Sequence, residues 1–128
     1  MSEAKHAINW FEIPVTDIQR AQTFYETIFE CNLAFMDLGP NHKMAVFPGD
    51  QSSISGALAF HPDWYSPSSS DGPLVYLNAN PDLQVVQDRI ESAGGKVPIP
   101  KRQISPDHGF MAVFIDSEGN RVALHSQN

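Results

Sequence analysis

Cysteine and long apolar runs are scarce in this chain of 128 residues. The single cysteine, Cys31, cannot form an internal disulfide, which fits a reducing compartment, and we interpret it as a small buried hydrophobe. No apolar run approaches the roughly 18 residues that a membrane-spanning helix needs. The first residues show no basic segment followed by an apolar one, so we expect no secretory signal and a cytoplasmic location.

Positive charge is scarce as well. Eight Lys and Arg residues stand against 15 Asp and Glu residues, which gives a net charge of −7. The basic residues are scattered along the chain, so they form no stripe that could neutralise a row of phosphates. We therefore predict neither a nucleic-acid partner nor a membrane partner.

The chain contains an internal repeat. The tetrapeptide MAVF occurs at Met44–Phe47 and again at Met111–Phe114, an offset of 67 residues. The pattern D-[I/L]-Q-x-x-Q occurs at Asp17–Gln22 and Asp82–Gln87, an offset of 65 residues. Two independent matches at nearly the same offset indicate a duplicated module in which each MAVF copy forms the same strand.

Each half of the chain predicts the element order β-α-β-β-β. Apolar residues recur at helical spacing after Asp17 and after Asp82, and strand-like runs with Gly, Pro and Asp turn signals surround both helices. The modules span about residues 6–61 and 73–127, with a linker rich in Pro and Ser at 62–72. Because about 60 residues can hardly bury a core alone, residues 1–128 are expected to form a single α+β domain.

Three motifs carry a family resemblance. The helix-opening motif lies within 13–29, AGGKV spans Ala93–Val97, and FIDSEGNRVAL spans Phe114–Leu124. In this order they resemble the vicinal oxygen chelate superfamily, which includes glyoxalase I, bleomycin-resistance proteins and extradiol dioxygenases. The resemblance implies tandem βαβββ modules that form a curved, cup-like mixed sheet with the helices on its outer face.

The resemblance also implies four metal-ligand positions in the cup, which are usually His, Glu or Gln. Here they fall on Trp10, Gly56, Leu74 (Val75 in an alternative alignment) and Ala123. None of these side chains has a donor atom for a divalent cation, so we predict no metal and no cofactor. The histidines lack ligand spacing, and we interpret them as solvated or hydrogen-bonded groups.

Strand alternation predicts which residues face the cup and which pack under the helices. Ile13, Leu77 and Leu124 fall on the packed side. The residues on the cup side form the candidate ligand site: Trp10, Glu12, Leu74, Tyr76, Asn78, Arg121, Ala123 and His125. An apolar cup with a few converging polar groups is typical of a small-molecule site. An ion pair between Glu12 and Arg121 with a purely structural role is the alternative.

These observations favour a metal-independent protein that binds a small-molecule ligand. One alternative is a glyoxalase- or dioxygenase-related enzyme that uses Glu12 or His125 as a general base, or a non-standard metal site. Another is an interaction module whose cavity is filled by side chains. We also expect a homodimer, because the family resemblance implies it and because Trp64 and Tyr65 in the linker offer apolar surface.

Overall fold

The order of helices and strands repeats once along the chain. The computed structural model describes residues 6–50 and 52–128. The first half contains β1 (Trp10–Pro14), α1 (Ile18–Phe29), β2 (Ala34–Asp37), β3 (Lys43–Val46) and β4 (Ser55–Phe60). The second half contains β5 (Tyr76–Asn78), α2 (Leu83–Ala93), β6 (Lys96–Ser105), β7 (Gly109–Ile115) and β8 (Arg121–Ser126). The predicted tandem βαβββ arrangement is confirmed.

The two halves build two four-stranded mixed sheets with the same internal order. Sheet 1 has the order β1-β4-β3-β2 and sheet 2 the order β5-β8-β7-β6, with the first two strands parallel in each. Ala45 in β3 lies opposite Leu58, and Ala112 in β7 lies opposite Leu124. The two MAVF copies therefore occupy equivalent strands, which is the expected consequence of a duplicated module.

Both helices begin at the aspartate of the repeated motif. The Asp17 carboxylate accepts a hydrogen bond from the N–H of Arg20, and the Asp82 carboxylate accepts one from the N–H of Gln84. An aspartate at this position satisfies a backbone donor that the helix itself leaves unpaired. The α2 helix ends at Gly94, whose φ of 108° lies in the left-handed region that glycine adopts without steric cost.

One hydrophobic core serves both modules. Ile13, Leu58, Leu77 and Leu124 point from the two sheets into this core. The apolar stripe of α1, at Ala21, Phe24, Tyr25 and Ile28, is buried there together with that of α2, and the two helices contact each other. Because each helix covers one face of its own sheet, the opposite face of each sheet is free of helices.

The turn between β7 and β8 joins the second module to the first. The buried Tyr25 hydroxyl donates to the Asp116 carboxylate at 2.7 Å, and the Asn120 side-chain amide donates to the Pro14 carbonyl at 2.6 Å. Burial raises the pKa of Asp116 although hydrogen bonds from Tyr25 and Asn120 oppose it, and burial also raises the pKa of Tyr25 well above its usual value. These contacts fix the orientation of α1 relative to sheet 2.

Glu118 in the same turn binds the start of α1. Its carboxylate accepts hydrogen bonds from the N–H groups of Thr16 and Asp17 and from the Arg20 guanidinium, the last at 2.6 Å. Its side chain has no solvent exposure. Burial by itself raises the pKa of Glu118, but the combined effect of these hydrogen bonds is larger and lowers the pKa to about 2. The turn thus supplies an anionic partner to a helix N-terminus, where negative charge is favoured.

Neither helix in residues 6–50 and 52–128 is both long enough and apolar enough to cross a membrane.

Candidate ligand-binding site

The sheet faces that carry no helix hold the predicted site residues. We call the face of sheet 1 opposite α1 face 1 and the face of sheet 2 opposite α2 face 2. Strand pairing puts Trp10, Glu12, Pro14, Ala57 and Ala59 on face 1. It puts Tyr76, Asn78, Ala123 and His125 on face 2, and Leu74 packs there. Ile13, Leu77 and Leu124 lie in the common core, as the sequence pattern predicted.

Strand register corrects one of the four positions that the resemblance assigned to a metal. Glu12 pairs with Ala57 as Tyr76 pairs with Ala123, so Ala57 is the counterpart of Ala123. Gly56, which the sequence alignment had predicted there, points to the opposite face. A Cβ at Gly56 would lie 2.5 Å from the Phe11 ring, so glycine serves close packing at this point. The sequence-based alignment was off by one residue because a short strand offers little pattern to set its register.

The residues present do not fit the metal site of the family. With the corrected register, Trp10, Ala57, Leu74 and Ala123 occupy the four positions, and none has a nitrogen, oxygen or sulfur that coordinates a divalent cation in this way. Across residues 6–50 and 52–128, no group of three or more His, Cys, Asp and Glu side chains is placed to hold a metal ion.

Glu12 is the polar centre of face 1. One carboxylate oxygen accepts the indole N–H of Trp10 at 3.2 Å, and the other accepts the hydroxyl of Tyr65 at 2.5 Å. The hydrogen bond to Glu12, with some burial and the carboxylate charge, raises the pKa of Tyr65 to about 12. Arg121 instead donates to the Gly72 carbonyl at 2.8 Å. The alternative of a Glu12–Arg121 ion pair is not what the structure forms.

A cluster of aromatic rings and imidazoles lies beside Glu12. The Trp64 and His61 rings are stacked with centroids 3.8 Å apart and an interplanar angle of 4°. The His42 ring lies 5.7 Å from that of His61 and 6.4 Å from that of Tyr65. Sequence reasoning missed this cluster and placed Tyr65 on open apolar surface. The antiparallel pairing of β3 with β4 brings His42 and His61 together, and only the hairpin register could have indicated it.

Face 2 has an apolar cluster at its centre. Met111, Val113 and Ala123 form a small buried cluster to which Leu74 and Ile99 add partly buried side chains. The polar groups lie at the edge of this cluster. They are Tyr76, which is half exposed, Asn78, which is exposed, and His125, whose Nε2 donates to the His108 carbonyl at 2.6 Å.

Some of the predicted site residues line one of two cavities. A cavity of about 660 Å³ runs along β5 and is lined by apolar side chains such as Phe11, Phe29 and Phe47; its lining also includes Leu74, Tyr76, Asn78 and the half-buried Cys31. A smaller cavity of about 220 Å³ includes Glu12 and Arg121. Trp10, Ala123 and His125 line neither cavity.

A single chain does not bring face 1 against face 2. The helices and their shared core join the two modules, and within residues 6–50 and 52–128 no Cα atom in a strand of sheet 1 lies within 8 Å of one in a strand of sheet 2. Trp10 on face 1 is 45% exposed and Tyr76 on face 2 is 49% exposed. Glu12 and Arg121 line the smaller cavity together, whereas the other predicted site residues form two half-sites that lie apart in one chain.

The duplicated fold and the paired half-sites define a family. The model of the Glyoxalase/Bleomycin resistance protein/Dioxygenase superfamily matches residues 7–124. The chain belongs to this superfamily, which confirms the resemblance that the three motifs indicated.

Individual relatives agree with this assignment. A glyoxylase-like domain-containing protein from Didymella fabae is 31% identical over 121 residues and is matched over 91% of each chain. Glyoxalase I from Zea mays shares the fold with a TM-score of 0.68 at 20% identity, over 93% of this chain and 45% of the maize chain. TnmS3, an antibiotic-binding protein from Streptomyces sp. CB03234, has a TM-score of 0.65 at 21% identity and is covered over 98% of both chains. This chain thus spans less than half of the maize enzyme.

Proposed function

We propose that this protein binds a small molecule and does so without a metal ion. The observation that carries the proposal is the carboxylate of Glu12 on face 1, which is held by the indole N–H of Trp10 and accepts a hydrogen bond from the Tyr65 hydroxyl of the linker. An aromatic surface beside an oriented polar group is the usual construction of a small-molecule site. The likeness to an antibiotic-binding protein supports the same class of function.

The proposed metal independence rests on donor chemistry. The four positions that hold a cation in metal-dependent members carry Trp10, Ala57, Leu74 and Ala123 here. Catalytic metal sites keep about three protein ligands, so loss of all of them leaves a cation nothing that replaces its hydration shell. Binding would then depend on the organic ligand alone, in a cytoplasmic setting that the single cysteine favours.

We further propose that the complete site requires a homodimer. Face 1 and face 2 each carry exposed candidate side chains in one chain, Trp10 and Tyr76 among them. A second copy related by a two-fold axis would place its face 2 against face 1 and build two equivalent cavities. Ligand would then contact Trp10 and Glu12 from one copy and Tyr76, Asn78 and His125 from the other.

A ligand screen tests the proposal. Tag-free protein is screened against small aromatic and polar compounds by thermal shift, since a ligand at 100 times its Kd adds about 2.7 kcal/mol to the free energy of unfolding. Trp10→Ala should abolish the shift. Phe35→Ala should preserve it, because Phe35 pairs with the core residue Ala45 and so lies on the other face of sheet 1. Stoichiometric metal in the purified protein would contradict the metal-free site.

One observation favours the alternative of a related enzyme. The Nε2 of His125 donates to the His108 carbonyl, so Nδ1 of a neutral His125 is left with its lone pair. A base that is oriented by a second group is a common catalytic arrangement. Turnover assays for glyoxalase and dioxygenase activity with His125→Ala and Glu12→Gln distinguish this alternative, because a binding protein has no turnover for these changes to abolish.

A further inference from the structure

Tyr65 lies on face 1 although it belongs to neither module. Its hydroxyl reaches Glu12 on β1, and its ring stacks at 29° against His42, which precedes β3. Strand β4 lies between β1 and β3, so the ring spans the β4 residues of face 1. Those residues, Ala57 and Ala59, have no solvent exposure. The linker thus covers the centre of face 1 with one aromatic side chain.

We propose that Tyr65 occupies the place of the ligand, and that the ligand is a planar aromatic molecule carrying a hydroxyl or N–H donor directed at Glu12. This inference rests on the proposed small-molecule function and names its ligand class. A site that holds a phenol side chain of its own chain, with a short hydrogen bond and a stacked ring, has the shape and polarity that such a ligand requires. Tyr65 is then an internal competitor that leaves when the ligand binds.

The chemistry of Glu12 requires a donor. An ionised carboxylate only accepts hydrogen bonds, and one of its two oxygens is already held by the Trp10 indole. A ligand that offers only acceptors, such as an aryl ether, cannot replace the Tyr65 hydroxyl. A ligand carboxylate would be repelled by Glu12, and the net charge of −7 adds to that repulsion.

A second polar group beside the ring has capacity to spare. Nε2 of His42 is buried and has no hydrogen-bond partner among the described residues. Buried polar atoms are paired in most folded proteins, so an unpaired one beside a candidate site indicates a group that a ligand can satisfy. The phenol ring of Tyr65, which has no polar atom other than its hydroxyl, leaves this nitrogen unused.

The linker can release Tyr65 without disturbing either sheet. The N–H groups of Trp64 and Tyr65 both bond to the His61 carbonyl, and further along the Ser68 carbonyl accepts the N–H of Arg121. The segment between these anchors has no helix or strand. Displacement of the Tyr65 side chain therefore requires only a local change. The apparent Kd of the ligand is then its intrinsic Kd divided by the fraction of molecules in which Tyr65 has left the site.

The test compares 2-naphthol with 2-methoxynaphthalene, which has the same ring without the donor. Both are titrated by calorimetry into wild type, Tyr65→Phe, Tyr65→Ala and Tyr65→Ala/Glu12→Gln, with Phe35→Ala as the surface control. We expect 2-naphthol to bind Tyr65→Ala about tenfold more tightly than wild type, and the added Glu12→Gln change to remove about that factor. Affinity for 2-methoxynaphthalene should not depend on Glu12. If Tyr65→Ala does not fold, Tyr65→Phe replaces it in the test. This variant keeps the ring over face 1 but loses the hydrogen bond to Glu12, so its gain in affinity for 2-naphthol should be smaller than tenfold.

NMR reports the position of the Tyr65 side chain directly. The Cζ resonance of Tyr65 in 13C-tyrosine-labelled protein, assigned with Tyr65→Phe, should shift towards that of a solvated tyrosine when 2-naphthol is added. Equal, Glu12-independent binding of both naphthalenes would overturn the donor requirement while leaving small-molecule binding intact. If neither naphthalene binds but the thermal-shift screen finds other ligands at Trp10, the ligand class is wrong. If the screen is also empty, the proposed function fails with it.

Discussion

At the scale of single residues, one carboxylate in a turn connects the two modules. Glu118 is held by backbone N–H groups at the start of α1 and by Arg20, and its side chain is fully covered. Hydrogen bonds to a charged group are the strong ones, and loss of one partner leaves the others unsatisfied. Glu118 therefore has a larger effect on stability than its place in a hairpin turn suggests.

Glu118→Gln should lower the free energy of unfolding by about 1–3 kcal/mol at pH 7. Because its folded pKa of about 2 lies below the ordinary 4.5, ionised Glu118 stabilises the fold above pH 4.5, and this contribution is lost as the pH falls towards 2. Urea unfolding of wild type and Glu118→Gln should show that the difference between their free energies of unfolding becomes smaller as the pH falls from 4.5 towards 2. Asp107→Asn, at an exposed turn, is the control, and a pH-independent gap would contradict the assignment.

Gly56 illustrates the same scale in the packing of sheet 1. An added Cβ would lie 2.4 Å from the Phe11 carbonyl oxygen, so Gly56→Ala should cost about 1–3 kcal/mol of stability through overpacking. Gly49→Ala, whose Cβ would have its nearest neighbour at 3.5 Å, should change stability by less than about 0.5 kcal/mol. Thermal unfolding of the two variants makes the comparison, and equal losses would show that Gly56 is not a close-packing site.

At the scale of elements, each helix begins with the same capping aspartate. The repeated D-[I/L]-Q-x-x-Q motif places an N-cap before an apolar stripe in both modules, so local chemistry and packing agree. This agreement explains why the start of each helix was predictable from the sequence.

Asp17→Ala should destabilise the protein by about 1 kcal/mol because the N–H of Arg20 loses its acceptor. Asp17→Asn keeps a side-chain oxygen at the cap and should recover most of that loss. Chemical unfolding of the three proteins measures both changes. If the asparagine variant were as unstable as the alanine variant, the carboxylate charge rather than the cap would be the stabilising feature.

At the scale of the whole molecule, the two half-sites of one chain form a complete site only when a second copy of the chain lies against them. We expect sedimentation equilibrium to show a homodimer at micromolar concentration. Trp10→Glu, on face 1, should weaken the dimer at least tenfold, since it buries an unpaired charge at the contact. Phe35→Glu, on the opposite face of sheet 1, should not. A monomeric wild type at high micromolar concentration would contradict both the dimer and the completed cavity.

The sequence by itself determined the fold and the chemistry that the faces can carry. Apolar periodicity, two capping aspartates and the repeated MAVF strand specify two βαβββ modules because they are local signals that reinforce one another. Strand alternation likewise separated Ile13, Leu77 and Leu124, which pack in the core, from Trp10, Glu12 and Ala123 on the other faces. The absence of donor atoms at the metal-ligand positions was also a property of the residues alone.

Only the tertiary structure decided which of these residues meet. It replaced Gly56 by Ala57 at the fourth-strand position, since register is set by pairing between strands rather than within one. It brought Tyr65 to Glu12, a contact across 53 residues that depends on the path of a linker with no periodicity. It also kept Trp10 on face 1 apart from Tyr76 and His125 on face 2 within one chain, because the two modules join through their helices and a single core. Long-range geometry of this kind has no local signature, so it could not be derived from the order of the residues.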